Sequence, residues 1–191
     1  MKIHKPEELI EDAKIALQML KAGNERYVKG ELIDKSSYKA DREILSGGQK
    51  PFAVVITCSD SRVAPEIFFD QKHGDIFVIR NAGNVADATA LGSMEYAVEH
   101  LKSKLVVVCG HSKCGAVIAA CSGGDELPPN IKHIVEHIKP AVERGGDADT
   151  VIRHNVEVMV ERVKADDIVK KSGATVVGAY YDIHTGEVEW L

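Results

Sequence analysis

No apolar run in the 191 residues approaches the ~20 that a membrane-spanning helix needs. The first dozen residues alternate charged and polar side chains and lack an apolar segment, which argues against a secretory leader. Basic charge is not in excess either: 24 Lys and Arg stand against 29 Asp and Glu, a net of −5. That excludes a general electrostatic pull toward nucleic acid or an anionic membrane. Cysteine is sparse. The four, Cys58, Cys109, Cys114 and Cys121, contain no Cys-x-x-Cys pair, which removes the usual thiol redox centre. A chain of this length buries a core without disulfide staples, so a reducing, cytoplasmic setting is expected. Internal repeats, low-complexity tracts and linkers are also missing. Residues 1–191 therefore read as one domain, with a helical arm and connection over 1–50 and an α/β core over 51–191.

What the chain does have is a series of short β-branched runs separated by segments of helical period. Residues 52–57, 76–79, 105–109 and 174–181 read as strands buried on both faces. The first 29 residues read as a helix, with Leu9, Ala13, Ala16, Leu17 and Leu20 at three and four spacing. Further helices are expected over 88–101, 114–121, 131–142 and 149–171. Pro140 should bend or end the third of these, and Gly173 ends the last. Residues 30–50 read as a surface connection, and 182–190 as a turn followed by a short strand. The alternation predicts a central, mostly parallel sheet flanked by helices, with an N-terminal helical arm and a short C-terminal edge strand.

In such sheets ligands collect beyond the carboxyl ends of the strands. Cys58 ends the first run, in Thr57-Cys58-Ser59-Asp60-Ser61-Arg62, and His111 lies two residues past the third, in Gly110-His111-Ser112-Lys113-Cys114-Gly115. Two thiolates and an imidazole are a natural zinc set, and three protein ligands leave a coordination position for chemistry. Thiolates donate charge to the metal, so water there is harder to deprotonate than on a three-histidine zinc, where its pKa is about 7. A nearby carboxylate helps or hinders. Asp60 can close the site as a fourth ligand, or be held off it by a bidentate pair with Arg62. Cys109 and Cys121 read as small packing side chains. His133 and His137 form an i,i+4 pair, but they carry no argument beyond surface position, and neither do His4, His73, His154 and His184.

Cys-x-Asp-x-Arg after one apolar strand and His-x-x-Cys-Gly after another resemble the β-class carbonic anhydrases. The resemblance runs from Gly23-Asn24-Glu25-Arg26-Tyr27 to the final strand, and takes in Gly74-Asp75-Ile76-Phe77-Val78-Ile79-Arg80-Asn81 and Gly92-Ser93-Met94-Glu95-Tyr96-Ala97-Val98. It implies Zn2+ on Cys58, His111 and Cys114, with the Asp60–Arg62 dyad gating the fourth position. The implied reaction is reversible hydration of CO2 to bicarbonate and a proton by zinc-bound hydroxide. It further implies a CO2 pocket walled by Gln49, Phe77 and Tyr96 and formed at a dimer interface, with the N-terminal helix on the neighbour. A homodimer or a dimer of dimers follows.

Ala82 stands where plant-like members carry a larger aliphatic side chain, which implies a roomier pocket. Val55 stands where a bicarbonate-inhibited subgroup carries Trp, so that regulatory pocket is not expected, although Arg80 and Tyr181 match other parts of it. His100, four residues after Tyr96, resembles a proton-shuttle position of plant members. Two other functions stay open. Relatives hydrolyse carbon disulfide or carbonyl sulfide with the same ligands. A non-enzymatic zinc protein with Asp60 as permanent fourth ligand would serve assembly, against which Arg62 argues.

Overall fold

Branched and aromatic side chains suit a pleated, buried surface, and the valine- and isoleucine-rich runs form the strands of a five-stranded sheet. These are β1 (Ala53–Cys58), β2 (Ile76–Asn81), β3 (Leu105–His111), β4 (Thr175–Tyr181) and β5 (Val188–Trp190). The computed structural model describes residue 5, residues 8–123 and residues 127–191. His4 and the start of the expected N-terminal helix lie outside the described residues. Strand order is β2-β1-β3-β4-β5. The first four strands are parallel, and β5 runs antiparallel to β4. The mostly parallel α/β fold read from the sequence is the one observed.

The central strands β1 and β3 are buried along their whole length. Each fully buried valine or isoleucine contributes about 1.5–3 kcal/mol. The register pairs Thr57 with Cys109, so both strands end at the same edge of the sheet. That shared edge is where the candidate ligands were expected.

The helices are α1 (Ala13–Lys29), α2 (Tyr38–Leu45), α3 (Pro65–Phe68), α4 (Ala88–Glu99), α5 (Gly115–Cys121), α6 (Pro129–Glu143), α7 (Ala148–Ala165) and α8 (Asp167–Ser172), with a 3-10 turn over Ala82–Asn84. Several differ from expectation. α1 starts at Ala13, where Asp12 caps it by accepting from the Lys14 N–H at 2.8 Å. The supposed connection contains α2, whose buried Asp41 accepts a 2.7 Å hydrogen bond from Ser37. α6 runs through Pro140 to Glu143. The expected helix over 149–171 is two, because Asp166 is extended and its carboxylate accepts from the Ile168 and Val169 N–H groups. A side chain that caps a new helix competes with continuation of the old one. Finally, β3 includes His111 instead of stopping short of it.

Two buried groups set measurable features of this fold. Asp70 is fully buried and takes Arg26 Nε at 2.7 Å, Lys35 Nζ at 3.2 Å and the Ile33 N–H at 3.1 Å. It pins α1 and the segment after it to the end of α3. Breaking a buried ion pair costs about 3–5 kcal/mol. Asp70→Asn should therefore lower the urea-unfolding free energy by about 3 kcal/mol; a loss below ~0.5 kcal/mol would mean that the arm is held some other way.

Cys109 is completely buried on β3, and burial pushes its thiol from an ordinary 9.0 up to about 12. The folded state keeps a proton that the unfolded chain releases. This contribution is intact below pH 9.0 and is lost as pH rises toward about 12, at roughly 1.4 kcal/mol per pH unit. Cys109→Ala should flatten the alkaline fall in melting temperature relative to the parent. Parallel pH curves for the two proteins would refute the assignment.

Candidate metal centre

Two parallel strand ends and one turn bring three donor side chains together. Cys58 closes β1, His111 closes β3, and Cys114 precedes α5 in an extended conformation. Their donor atoms all lie within 4.8 Å of one another, and all three residues are buried. Lys113 adopts a left-handed conformation, φ 57°, which turns the chain sharply enough for His111 and Cys114 to face one point.

The imidazole is oriented for a cation. His111 Nδ1 lies 2.9 Å from the Ser112 carbonyl, which can only accept, so Nδ1 carries the proton. Nε2 is then an unprotonated acceptor, buried and without a hydrogen-bond partner. A buried, unpaired polar atom is costly, and a metal ion beside two thiols satisfies it. The thiols point the same way. Cys58 is driven well below the ordinary thiol range, first by the hydrogen bond from Cys114 and then by the Gly83 and Asp60 N–H groups, while the same contact drives Cys114 up. Two thiols that share one proton are the set that a divalent cation converts to two thiolates. The residues fit zinc.

Around them the loop is tied down. Arg80 donates from Nε to the Cys58 carbonyl at 2.9 Å and from Nη2 to the Asp60 carbonyl at 2.6 Å. Ser112 donates its N–H to the Tyr181 carbonyl and accepts the Ile183 N–H, both at 2.9 Å. Arg62 meets Asp60 with two parallel bonds, Nε to Oδ1 at 2.9 Å and Nη2 to Oδ2 at 2.6 Å, and adds its own N–H to Oδ1 at 3.0 Å. The guanidinium holds the Asp60 carboxyl well below the usual carboxylate range, so it stays ionised.

Comparison with known proteins agrees with this geometry. The carbonic anhydrase family profile matches residues 53–188. A carbonic anhydrase of Mycolicibacterium smegmatis is 40% identical over 187 residues, 91% of each chain. Carbonic anhydrase 2 of Mycobacterium tuberculosis is 48% identical over 133 residues, 68% of this chain and 64% of that one. Among solved structures, a tetrameric β-carbonic anhydrase of the ascomycete Sordaria macrospora superimposes with a TM-score of 0.73 at 30% identity, over 82% of this chain and 90% of that one. The chain belongs to the β-carbonic anhydrase family.

The other residues named from the resemblance sit on separate elements. Phe77 is half-buried on β2, its ring 6.2 Å from that of Tyr96, which is 48% exposed on α4. His100 lies beyond, its ring 5.3 Å from Tyr96. Ala82 is half-buried at the start of the 3-10 turn. Gln49 is exposed and lines a cavity of about 460 Å³ with Ile76 and Val78. Phe77 lines another of about 460 Å³ with Arg80, Asn81 and Asp87. In a single chain the Gln49 amide and the Phe77 ring line different cavities.

Sequence reasoning missed the Arg80 clamp on the ligand loop and the N–H of Gly83, 3.4 Å from Cys58 Sγ. It also misjudged Cys121, expected as packing but exposed at the end of α5. Thiol chemistry separates the four cysteines. In the zinc-loaded protein at pH 8, a window chosen for alkylation, iodoacetamide should modify Cys121 alone, and about one zinc should be found per chain. Cys58→Ser or His111→Ala should abolish that metal content. Rapid native alkylation of Cys58 and Cys114 in zinc-saturated protein would refute the site.

Proposed function

We propose that the protein is a zinc-dependent carbonic anhydrase, catalysing reversible hydration of CO2 to bicarbonate and a proton. The observation that carries this reading is the buried Cys58–His111–Cys114 set beside a carboxylate that Arg62 already engages. Cys58 Sγ, His111 Nε2 and Cys114 Sγ would hold the metal. When bound, a zinc ion would supply Lewis acidity, which lowers the pKa of water far enough to make it a nucleophile.

The chain's own residues do the rest. Ionised Asp60 is an acceptor only, so its carboxylate can take a hydrogen bond from the attacking water and orient its lone pair toward carbon. Arg62 occupies both Asp60 oxygens and so competes with any tendency of that carboxylate to become a ligand. Phe77 and the face of Tyr96 offer an apolar wall suited to a linear substrate with few hydrogen-bonding needs. The Gln49 amide can donate to a substrate oxygen as charge develops there. Ala82, small at the rim, leaves that wall room.

His100, next to the Tyr96 ring, is assigned the transfer of the released proton to buffer. We further propose that the CO2 pocket closes between two copies of the chain, as a homodimer or a dimer of dimers. Tyr96 and Gln49, both exposed on one chain, support this. A reducing, cytoplasmic setting is supported by four free cysteines, three of them buried.

Stopped-flow CO2 hydration tests the proposal. Asp60→Asn and Arg62→Ala should keep zinc but lose at least ~100-fold in kcat/KM. Equal activity in both variants would discard the dyad. A parent that is inactive on CO2 yet hydrolyses carbon disulfide would move the protein to that reaction, and a zinc-loaded parent inactive on both would favour an assembly role.

A further inference from the structure

We propose that Asn155, on α7, is a positioning residue for the metal centre, acting through Gly83 on the Cys58 sulfur. The inference rests on the reading of Cys58 as a zinc ligand. Asn155 is completely buried, and its Nδ2 donates to the Gly83 carbonyl at 3.0 Å. The carbonyl only accepts, so this contact fixes which way the amide faces. On the other side of the same residue, the Gly83 N–H points at Cys58 Sγ, 3.4 Å away.

Gly83 can do this because it is glycine. Its φ is 78°, and a Cβ would sit 2.8 Å from Ile138 Cδ1 and 3.2 Å from Ala116 Cβ. The left-handed turn is thus wedged against α5 and α6 and held from α7. A second α7 side chain, Met159, accepts the Ala86 N–H at 3.2 Å, so two positions four residues apart on one helix secure the segment 83–86. α7 has its own seat on the sheet, since Val156 and Ile152 pack where a Cβ of Gly110 would be.

An N–H directed at a thiolate draws electron density from sulfur and leaves the metal a stronger Lewis acid. Hydrogen bonds of this outer kind commonly govern affinity by about 10–100-fold. Asn155 holds the N–H in line. Without it the turn keeps its left-handed glycine but loses the bond that fixes its far side.

The test uses the metal-loaded protein. In Asn155→Leu and Asn155→Ala, neither of which can donate, zinc should pass to a competing chelator about tenfold faster. In the cobalt-substituted variants the sulfur-to-metal absorption should move to lower energy. Val163→Ala, a buried change near the far end of α7, should leave that band in place. In the cadmium-113 parent, the Gly83 amide proton should show scalar coupling to the metal through Cys58. Unchanged bands and release rates in both Asn155 variants, an equal shift in Val163→Ala, or no coupling in the parent would each overturn the inference. A parent that holds no metal would instead remove the ligand reading, and this inference with it.

Discussion

Three soft donor atoms lie within 4.8 Å of one another, buried at the shared edge of two neighbouring parallel strands. The rest of the site is organised around that crowding. A buried imidazole nitrogen without a partner and two thiols forced to share a proton are unfavourable by themselves. They become favourable together when a divalent cation replaces the proton. The supporting contacts are therefore directed at fixing positions. Ser112 sets the imidazole tautomer, Arg80 fastens the carbonyls of Cys58 and Asp60, and the left-handed Lys113 aims two ligands at one point. The sheet order is what makes the meeting possible, because β1 and β3 are adjacent although β2 and α4 intervene in the chain.

The strands and the ligand set were legible because each rests on a local signal. A run such as Leu105-Val106-Val107-Val108 has few ways to be buried other than as a central strand. Cysteine and histidine at the ends of two such runs carry their chemistry in their identity. The misses have equally physical causes. α2 is Tyr-Lys-Ala-Asp-Arg-Glu-Ile-Leu, barely two turns long with Tyr38 and Ile44 about half exposed, and its one buried polar group is satisfied by a serine outside it. The break at Asp166 reflects a capping carboxylate winning over helix continuation, a close contest that periodicity does not register. Reading Cys121 as packing requires it to share a helix face with Cys114, seven residues earlier. Cys114 is extended and α5 begins after it, so that spacing has no face to follow. Arg80, Gly83 and Asn155 act through contacts between distant segments, which no local pattern announces.

Metal set and substrate wall differ in how much of them one chain contains. Cys58, His111 and Cys114 come together from β1, β3 and the turn before α5, all within one chain. Gln49, Phe77 and Tyr96 sit on the connection before β1, on edge strand β2 and on the outer side of α4. β2 has a neighbour on one side only, and an edge strand with apolar side chains beside an exposed aromatic is a surface suited to cover. If two copies supply that cover, metal retention belongs to the folded chain and turnover to the assembly. The two properties would then respond to dilution separately.

The dyad and the ligand set also make sense as a pair. Two thiolates nearly cancel the charge of a divalent ion, so the pull on a third anion is weak compared with that of a site built from neutral imidazoles. On the proposed reading, Asp60 would be balanced between a modestly attractive metal and Arg62, whose side chain is 50% exposed and whose ion pair is screened by water. Both alternatives are small, and a balance between two small terms can be tipped by modest changes around it. A Cys2His site beside a half-exposed bidentate pair is the combination in which a single carboxylate can act as a gate.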